Sequence, residues 1–218
     1  FFFICLCVRS STSMASTEAI AVNVRVRPLN ARETSSPDCY ARFRAVGRSI
    51  LAEYEPSGRA CKGASQRYEF DNVFGPEAST EDIFDRVGAA IVDSTLNGIN
   101  GTIFAYGQTS SGKTFTMNGD EMGDHPGILP LSAMHIFDTI ERHTNTREYL
   151  VRVSFVEIYN EVVTDLLNPK GGAIRIRESR ERGVFVESQE EIVADLDALI
   201  KVFNRGSTSR HVGSTSMN

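Results

Sequence analysis

Residues 107–114 read GQTSSGKT, and this octet limits the possible folds more than any other part of the chain. Two glycines bracket four residues and are followed by Lys113 and Thr114, which matches G-x-x-x-x-G-K-[ST] at every fixed position. A strand must deliver such a loop and a helix must leave it. Consecutive backbone N–H groups then turn inward around phosphates, and the helix N-terminus adds the positive end of its dipole. The flanks supply both elements. TIFAY (102–106) is a short apolar run that reads as a buried strand, and KTFTM (113–117) opens a helix with apolar spacing. Within the loop, Gly107, Gln108, Thr109, Ser110, Ser111 and Gly112 form the cradle. Lys113 supplies a cation for the terminal phosphates, and the Thr114 hydroxyl is placed to ligate Mg²⁺. The loop by itself does not separate ATP from GTP.

The remaining pattern alternates strands and helices. AIAVNVRVRP (19–28) alternates apolar and polar residues, with valines at 22, 24 and 26, and stops at Pro28. Residues 30–65 are broken by Gly, Ser and Pro and suggest short strands in a peripheral lobe. YEFDNVFGP (68–76) returns to aromatic alternation before a Gly-Pro turn. The next segment reads as a helix with Ser79 and Asp82 as a capping box, Ile83, Phe84, Val87 and Ile91 on one face, and Asn97-Gly98 as its exit. NGDEMGDHPG (118–127) is an exposed loop. A helix follows with Ile128, Leu131, Met134, Ile136 and Phe137 as its apolar face. EYLVRVSFVEIYNE (148–161) reads as one nearly continuous strand, AIRIRES and GVFVES as two short ones about a charged turn. DLDALIKVFNRG closes with Leu196, Leu199, Ile200 and Phe203 on a helical face. The class is α/β around a central sheet, without internal repeats.

Charge and cysteine content remove several functions. A net charge of −5 argues against a general nucleic-acid binder, which needs surplus Lys and Arg to displace counterions from phosphates. Cys5, Cys7, Cys39 and Cys61 show no paired spacing suited to zinc and read as free thiols. The opening FFFICLCVRSSTS is apolar for eight residues, too short to cross a bilayer, with no basic stretch before it. The expectation is that residues 1–13 are an upstream extension outside the fold and that the domain occupies 14–218, with no membrane partner. An uncleaved anchor is the alternative.

FAYGQTSSGKTFTM resembles the phosphate-loop signature of kinesin motor domains. Around it VRVRPLN, FDNVF, GINGT, PGILP, SFVEIYNEVVTDLL and RHVGSTSMN stand in the kinesin order and spacing. The resemblance spans residues 19–218, and AVNVRVRPLNARE and SRHVGSTSMN look most like the kinesin-7 (centromere-associated protein E-like) branch. It implies a phosphate-loop NTPase of kinesin type, with a central mixed sheet flanked by helices, and ATP as the nucleotide. It also implies base contacts from Arg25, Arg27 and Pro28, with Phe115 packing against the purine. Arg25 and Arg27 taken alone read as solvated strand-end charges, and Phe115 as core. Glu157, Asn160 and Glu161 match the family but read as a structural cluster. His125, His135, His143 and His211 are scattered, and Arg210 is a weak candidate for the pocket.

In kinesins the first switch, N-x-x-S-S-R-S-H, begins where this chain reaches Asn218. The second switch and neck linker follow it. The expectation is therefore a motor domain cut after its third main helix, whose parent couples ATP hydrolysis to movement along microtubules and dimerises through a coiled coil further on. Implied locations are the cytoplasm and cytoskeleton, with spindle or kinetochore if the branch is right. The segment around residues 177–188, with Arg180 and Arg182, would face tubulin. A non-hydrolysing nucleotide-binding module is the alternative. A small-molecule kinase fits less well, because the loop after the helix is acidic where an acceptor lid needs arginines.

Overall fold

The computed structural model describes residues 3–10, 19–35, 43–52, 66–120, 123–181 and 183–210. It divides into two units, the first running to His135 and the second beginning at Ile136. Cys39, Cys61, His211 and the GSTSMN end lie outside the described residues.

The first unit contains, in chain order, β1 (Phe3–Ser10), β2 (Ala19–Val26), α1 (Ala31–Ser35), β3 (Phe43–Val46), β4 (Ser49–Ala52), β5 (Arg67–Glu69) and β6 (Asn72–Phe74). Then come α2 (Thr80–Ile83), a π-helical turn (Phe84–Gly88), α3 (Ala89–Leu96), β7 (Gly101–Tyr106), α4 (Lys113–Asn118) and the start of α5 (Ile128–His143). Its main sheet has the order β6-β2-β1-β7. β6 runs parallel to β2, while β1 is antiparallel to both β2 and β7. The strands that lead to the arginines and to the glycine loop therefore run the same way, with β1 between them.

For residues 3–10, that placement departs from the expectation that residues 1–13 stay outside the fold. Phe3–Ser10 pairs with β2 over eight positions and with β7 over six. The physical reason is backbone satisfaction. FICLCVRS is a run of strand formers, and a gap between β2 and β7 would leave two rows of N–H and C=O groups unpaired.

β2 follows the predicted alternation, yet Asn23, Val24 and Arg25 are all buried, so both of its faces are covered there. Val24 joins Ile50 and Val73 in a core completed by Val26, Phe43, Ala45 and Phe70 from β2, the β3-β4-β5 sheet and its flank. On the other face Asn23 accepts a hydrogen bond from Asn72 at 2.7 Å. β7 departs from expectation: among the described residues it is an edge strand, with Phe104 48% and Tyr106 72% exposed.

The capping box forms as read. Asp82 N–H donates to Ser79 Oγ, and Ser79 N–H donates to Asp82 Oδ2. The bonds from Ser79 N–H and from its hydroxyl to Asp82 Oδ2 hold that carboxyl below the usual carboxylate range. Gly98 adopts φ +90° at the exit. The helix is not uniform, however, because the π-helical turn widens it at Phe84–Gly88. At the start of β7 a Cβ on Gly101 would lie 2.5 Å from Ile91 Cγ2, so only glycine lets α3 and β7 approach this closely. In α5, Ile128 and Ala133 are buried, whereas Met134, expected on the apolar face, is exposed.

The second unit comprises the remainder of α5, β8 (Val151–Val153), β9 (Val156–Tyr159), β10 (Val162–Asp165), a 3-10 turn (Pro169–Gly171), β11 (Ala173–Ile174), β12 (Ile176–Ser179), β13 (Gly183–Val186), β14 (Glu191–Val193) and α6 (Leu196–Thr208). The single strand expected over 148–161 is in fact β8 and β9, and β9 turns back directly into β10. Asn160 and Glu161 make the turn with φ of 48° and 61°. Paired left-handed residues match the twist of a two-residue hairpin, which assigns this cluster to architecture. Glu157 forms an ion pair with Arg210 at 3.8 Å. Asp195 caps α6 through Ala198 N–H at 2.7 Å. Phe155 stacks on Phe203 at 5.7 Å, directly over Gly206, where a Cβ would lie 2.2 Å from the Phe155 ring.

Candidate functional site

The site grows from the C-terminal ends of β2 and β7. β7 runs straight into the glycine loop, in which Ser110 (φ 63°) and Gly112 (φ 94°) are left-handed. Left-handed residues separated by one ordinary residue turn successive N–H groups toward a common point, the geometry of an anion nest. Gln108, Thr109, Ser110 and Thr114 are exposed, and Gly107, Gly112 and Lys113 are half-buried. Lys113 Nζ donates to the carbonyls of Gly107 and Gln108, both at 2.7 Å. The lysine thus holds the loop closed on itself, with its charge centred on the same arc as the nest.

Ser111 is fully buried, and its Oγ has no hydrogen-bond partner. A buried hydroxyl without a partner costs about 1–3 kcal/mol. It stands in the wall of a cavity of about 550 Å³, together with Gly112, Phe115, Thr116 and the end of β2. That volume falls inside the ~300–1,000 Å³ range of small-molecule sites. The orphan hydroxyl and the nest beside an aromatic-lined cavity fit a nucleoside triphosphate. When bound, Mg²⁺ would neutralise phosphate charge. Thr114, in the first turn of α4, is the residue that would hold it. Among the described residues no cluster of three His, Cys, Asp or Glu could hold a metal ion.

Arg25, Arg27, Pro28 and Phe115 all line this cavity, but the two arginines are already engaged. Arg25 is 7% exposed. Its Nη1 donates to Thr80 Oγ1 at 3.0 Å and to Thr116 Oγ1 at 2.9 Å, and its Nη2 to the Ala78 carbonyl at 3.4 Å. The guanidinium also lies 5.3 Å from the centre of the Phe115 ring. Burial lowers its pKa, and Glu81 acts against that. Arg25 therefore ties β2 to the starts of α2 and α4 and positions Phe115. Arg27 makes a two-pronged pair with Glu33 at 2.9 and 2.7 Å, holding that carboxyl below the usual range. Glu33 in turn accepts from Asn30 N–H at 2.8 Å, and Asn30 Oδ1 accepts from Glu33 N–H at 2.9 Å, so the pair also caps α1.

The structure thus brings Ser111, Gly112, Phe115, Arg25, Arg27 and Pro28 into one wall. Gly107, Gln108, Thr109, Ser110, Lys113 and Thr114 form the adjoining open loop. Thr80, Thr116 and His125 belong to the same site and carried no sequence signal, because their roles depend on a partner 55 or 91 positions away or on loop closure. Thr116 lies 91 positions from Arg25.

Comparison with known proteins agrees with this geometry. A family model described as the kinesin motor domain matches residues 25–218. Kinesin-like protein KIN-7I of Oryza sativa subsp. japonica is 44% identical over 202 residues, covering 92% of this chain and 15% of the relative. Kinesin-like protein KIN-7K, chloroplastic, of Arabidopsis thaliana is 44% identical over 209 residues, covering 95% of this chain and 20% of the relative. A solved structure described as that of a fast kinesin superposes with a TM-score of 0.78 at 36% identity, covering 89% of this chain and 54% of that one. The chain spans a fifth or less of these curated relatives and about half of the solved motor. With a family model matching residues 25–218 and an overall fold that superposes on a solved motor, the chain belongs to the kinesin motor domain family.

Proposed function

We propose that this chain is the ATP-binding part of a microtubule motor of the kinesin-7 branch. The observation that carries the reading is the buried, unpartnered Ser111 hydroxyl between the glycine loop and the Phe115 cavity. In this reading the triphosphate lies along residues 107–114, with Lys113 moving from its two carbonyls to the terminal phosphates. Thr114 holds Mg²⁺. The purine enters the cavity beside Phe115 and Pro28, and Arg25 and Arg27 frame it. The flanks of the loop favour ATP over GTP because they resemble those of kinesins.

The parent protein would couple ATP hydrolysis to movement along microtubules, work at the cytoskeleton and dimerise through a coiled coil. Spindle or kinetochore placement follows only from the branch. No nucleic acid or membrane partner is part of this reading. Among the described residues no helix is long and apolar enough to cross a membrane. The β12–β13 hairpin, with Arg177 paired to Glu187 at 2.8 Å, is the proposed tubulin-facing element.

Residues 1–218 should bind MgATP without motor-rate turnover, because hydrolysis also needs elements that position water and respond to the γ-phosphate. Calorimetric titration and a microtubule-stimulated phosphate-release assay check both halves. Saturable ATP binding without stimulated turnover is the expected result; absence of ATP binding contradicts the reading.

A further inference from the structure

Ten residues beyond Phe115, the loop that follows α4 returns to the same cavity and places His125 in its wall. The histidine ring centre is 6.3 Å from that of Phe115, with the planes 50° apart. That separation is within aromatic contact range. The tilt leaves the two rings as adjoining walls rather than a closed stack, so a flat aromatic ligand can lie against either.

The backbone that carries His125 is fixed at both ends. Gly119 and Pro126 form an isolated antiparallel bridge. Asp120 N–H donates to the His125 carbonyl at 3.1 Å, and His125 N–H donates to Asp120 Oδ1 at 3.2 Å. Gly119 sits at φ +92°, and a Cβ there would lie 2.4 Å from the His125 carbonyl oxygen. A Cβ on Gly127 would lie 2.4 Å from the backbone of Met117, Asn118 and Gly119. Two glycines thus let the ends of the loop close against each other, which brings His125 to the cavity wall.

We propose that His125 is a base-contacting residue that forms, with Phe115, the aromatic side of a purine-nucleotide site. The inference rests on the nucleotide reading and adds a residue from a separate loop to it. His125 acts on the base and not on the phosphates, since it lies in the cavity and not on the arc of residues 107–114. Loss of one aromatic contact to a base weakens binding by about tenfold, at the lower end of measured stacking contributions.

The test compares two probes, ATP and inorganic tripolyphosphate, by calorimetric titration of the 218-residue chain and its variants. His125→Ala should weaken ATP about tenfold and leave tripolyphosphate unchanged, while His125→Phe should restore most of the ATP affinity. Equal ATP affinity in His125→Ala overturns the proposal, and so does an equal loss for both probes, which would make His125 a loop-positioning residue. A native chain that binds tripolyphosphate but not ATP rejects the nucleotide reading itself. A native chain that binds ATP with an indifferent His125→Ala rejects only the role of His125.

Discussion

Lys113→Ala should weaken ATP binding by a hundredfold or more while leaving the fold intact. Lys113 Nζ donates to two loop carbonyls at 2.7 Å, so the native ammonium is already poised on the arc where phosphates would lie. Charge-assisted bonds to phosphate are the strong ones, about 1.5–3 kcal/mol each. Two of them account for the predicted loss. The side chain is only half-buried, and no apolar core residue depends on it, so the melting transition should move little. Lys113→Met separates charge from bulk: it keeps the apolar stem and should lose as much affinity as the alanine variant. Titration with ATP, alongside a thermal melt, reads both effects. An unchanged dissociation constant in either variant contradicts the placement of the phosphates on this loop.

Removing residues 1–13 should be nearly as damaging, through a different route. β1 fills the space between β2 and β7, pairing with eight positions of one and six of the other. At about 0.5–1.5 kcal/mol net per ladder bond, the loss is comparable with the ~5–15 kcal/mol stability of a whole domain. If β2 and β7 instead closed on each other, their separation would shrink by one strand spacing, about 4.8 Å. β2 carries Arg25 and β7 delivers the glycine loop, so the cavity wall and the phosphate arc would be displaced relative to each other. The deletion should therefore aggregate or melt early and lose ATP binding. In the native chain, amide hydrogens of residues 3–10 should exchange slowly, as expected of a strand paired on both sides. A truncated chain that melts and binds ATP like the native one would remove β1 from the account.

Local chemistry made some of this readable from sequence. Ser79 and Asp82 cap their helix and Gly98 ends it, because each acts on backbone within a few positions of itself. The glycine loop was legible for the same reason. Taken alone, the pattern made Arg25 a solvated strand-end charge, whereas it is 7% exposed, because the groups that satisfy it are distant in sequence. Its real partners, Thr80 and Thr116, lie 55 and 91 positions away. The hairpin between β9 and β10 was hidden because Asn160 and Glu161, not glycines, take the left-handed turn. Glutamate there pays a conformational cost that composition does not reveal. β1 was excluded on composition, since an apolar tract looks alike whether it is an appendage or a central strand. The exposure of Phe104 and Tyr106 on β7 likewise depends on sheet order, which periodicity does not encode.

The central claim is that one cavity and one loop together hold ATP. Photolabelling with 2-azido-ATP, followed by peptide mapping, tests it most directly because the reactive group reports where the base lies. The label should fall on residues 25–30 and 111–127, be displaced by excess ATP, and disappear in Lys113→Ala. Labelling that maps to other segments, or that survives both ATP competition and Lys113→Ala, would contradict the account.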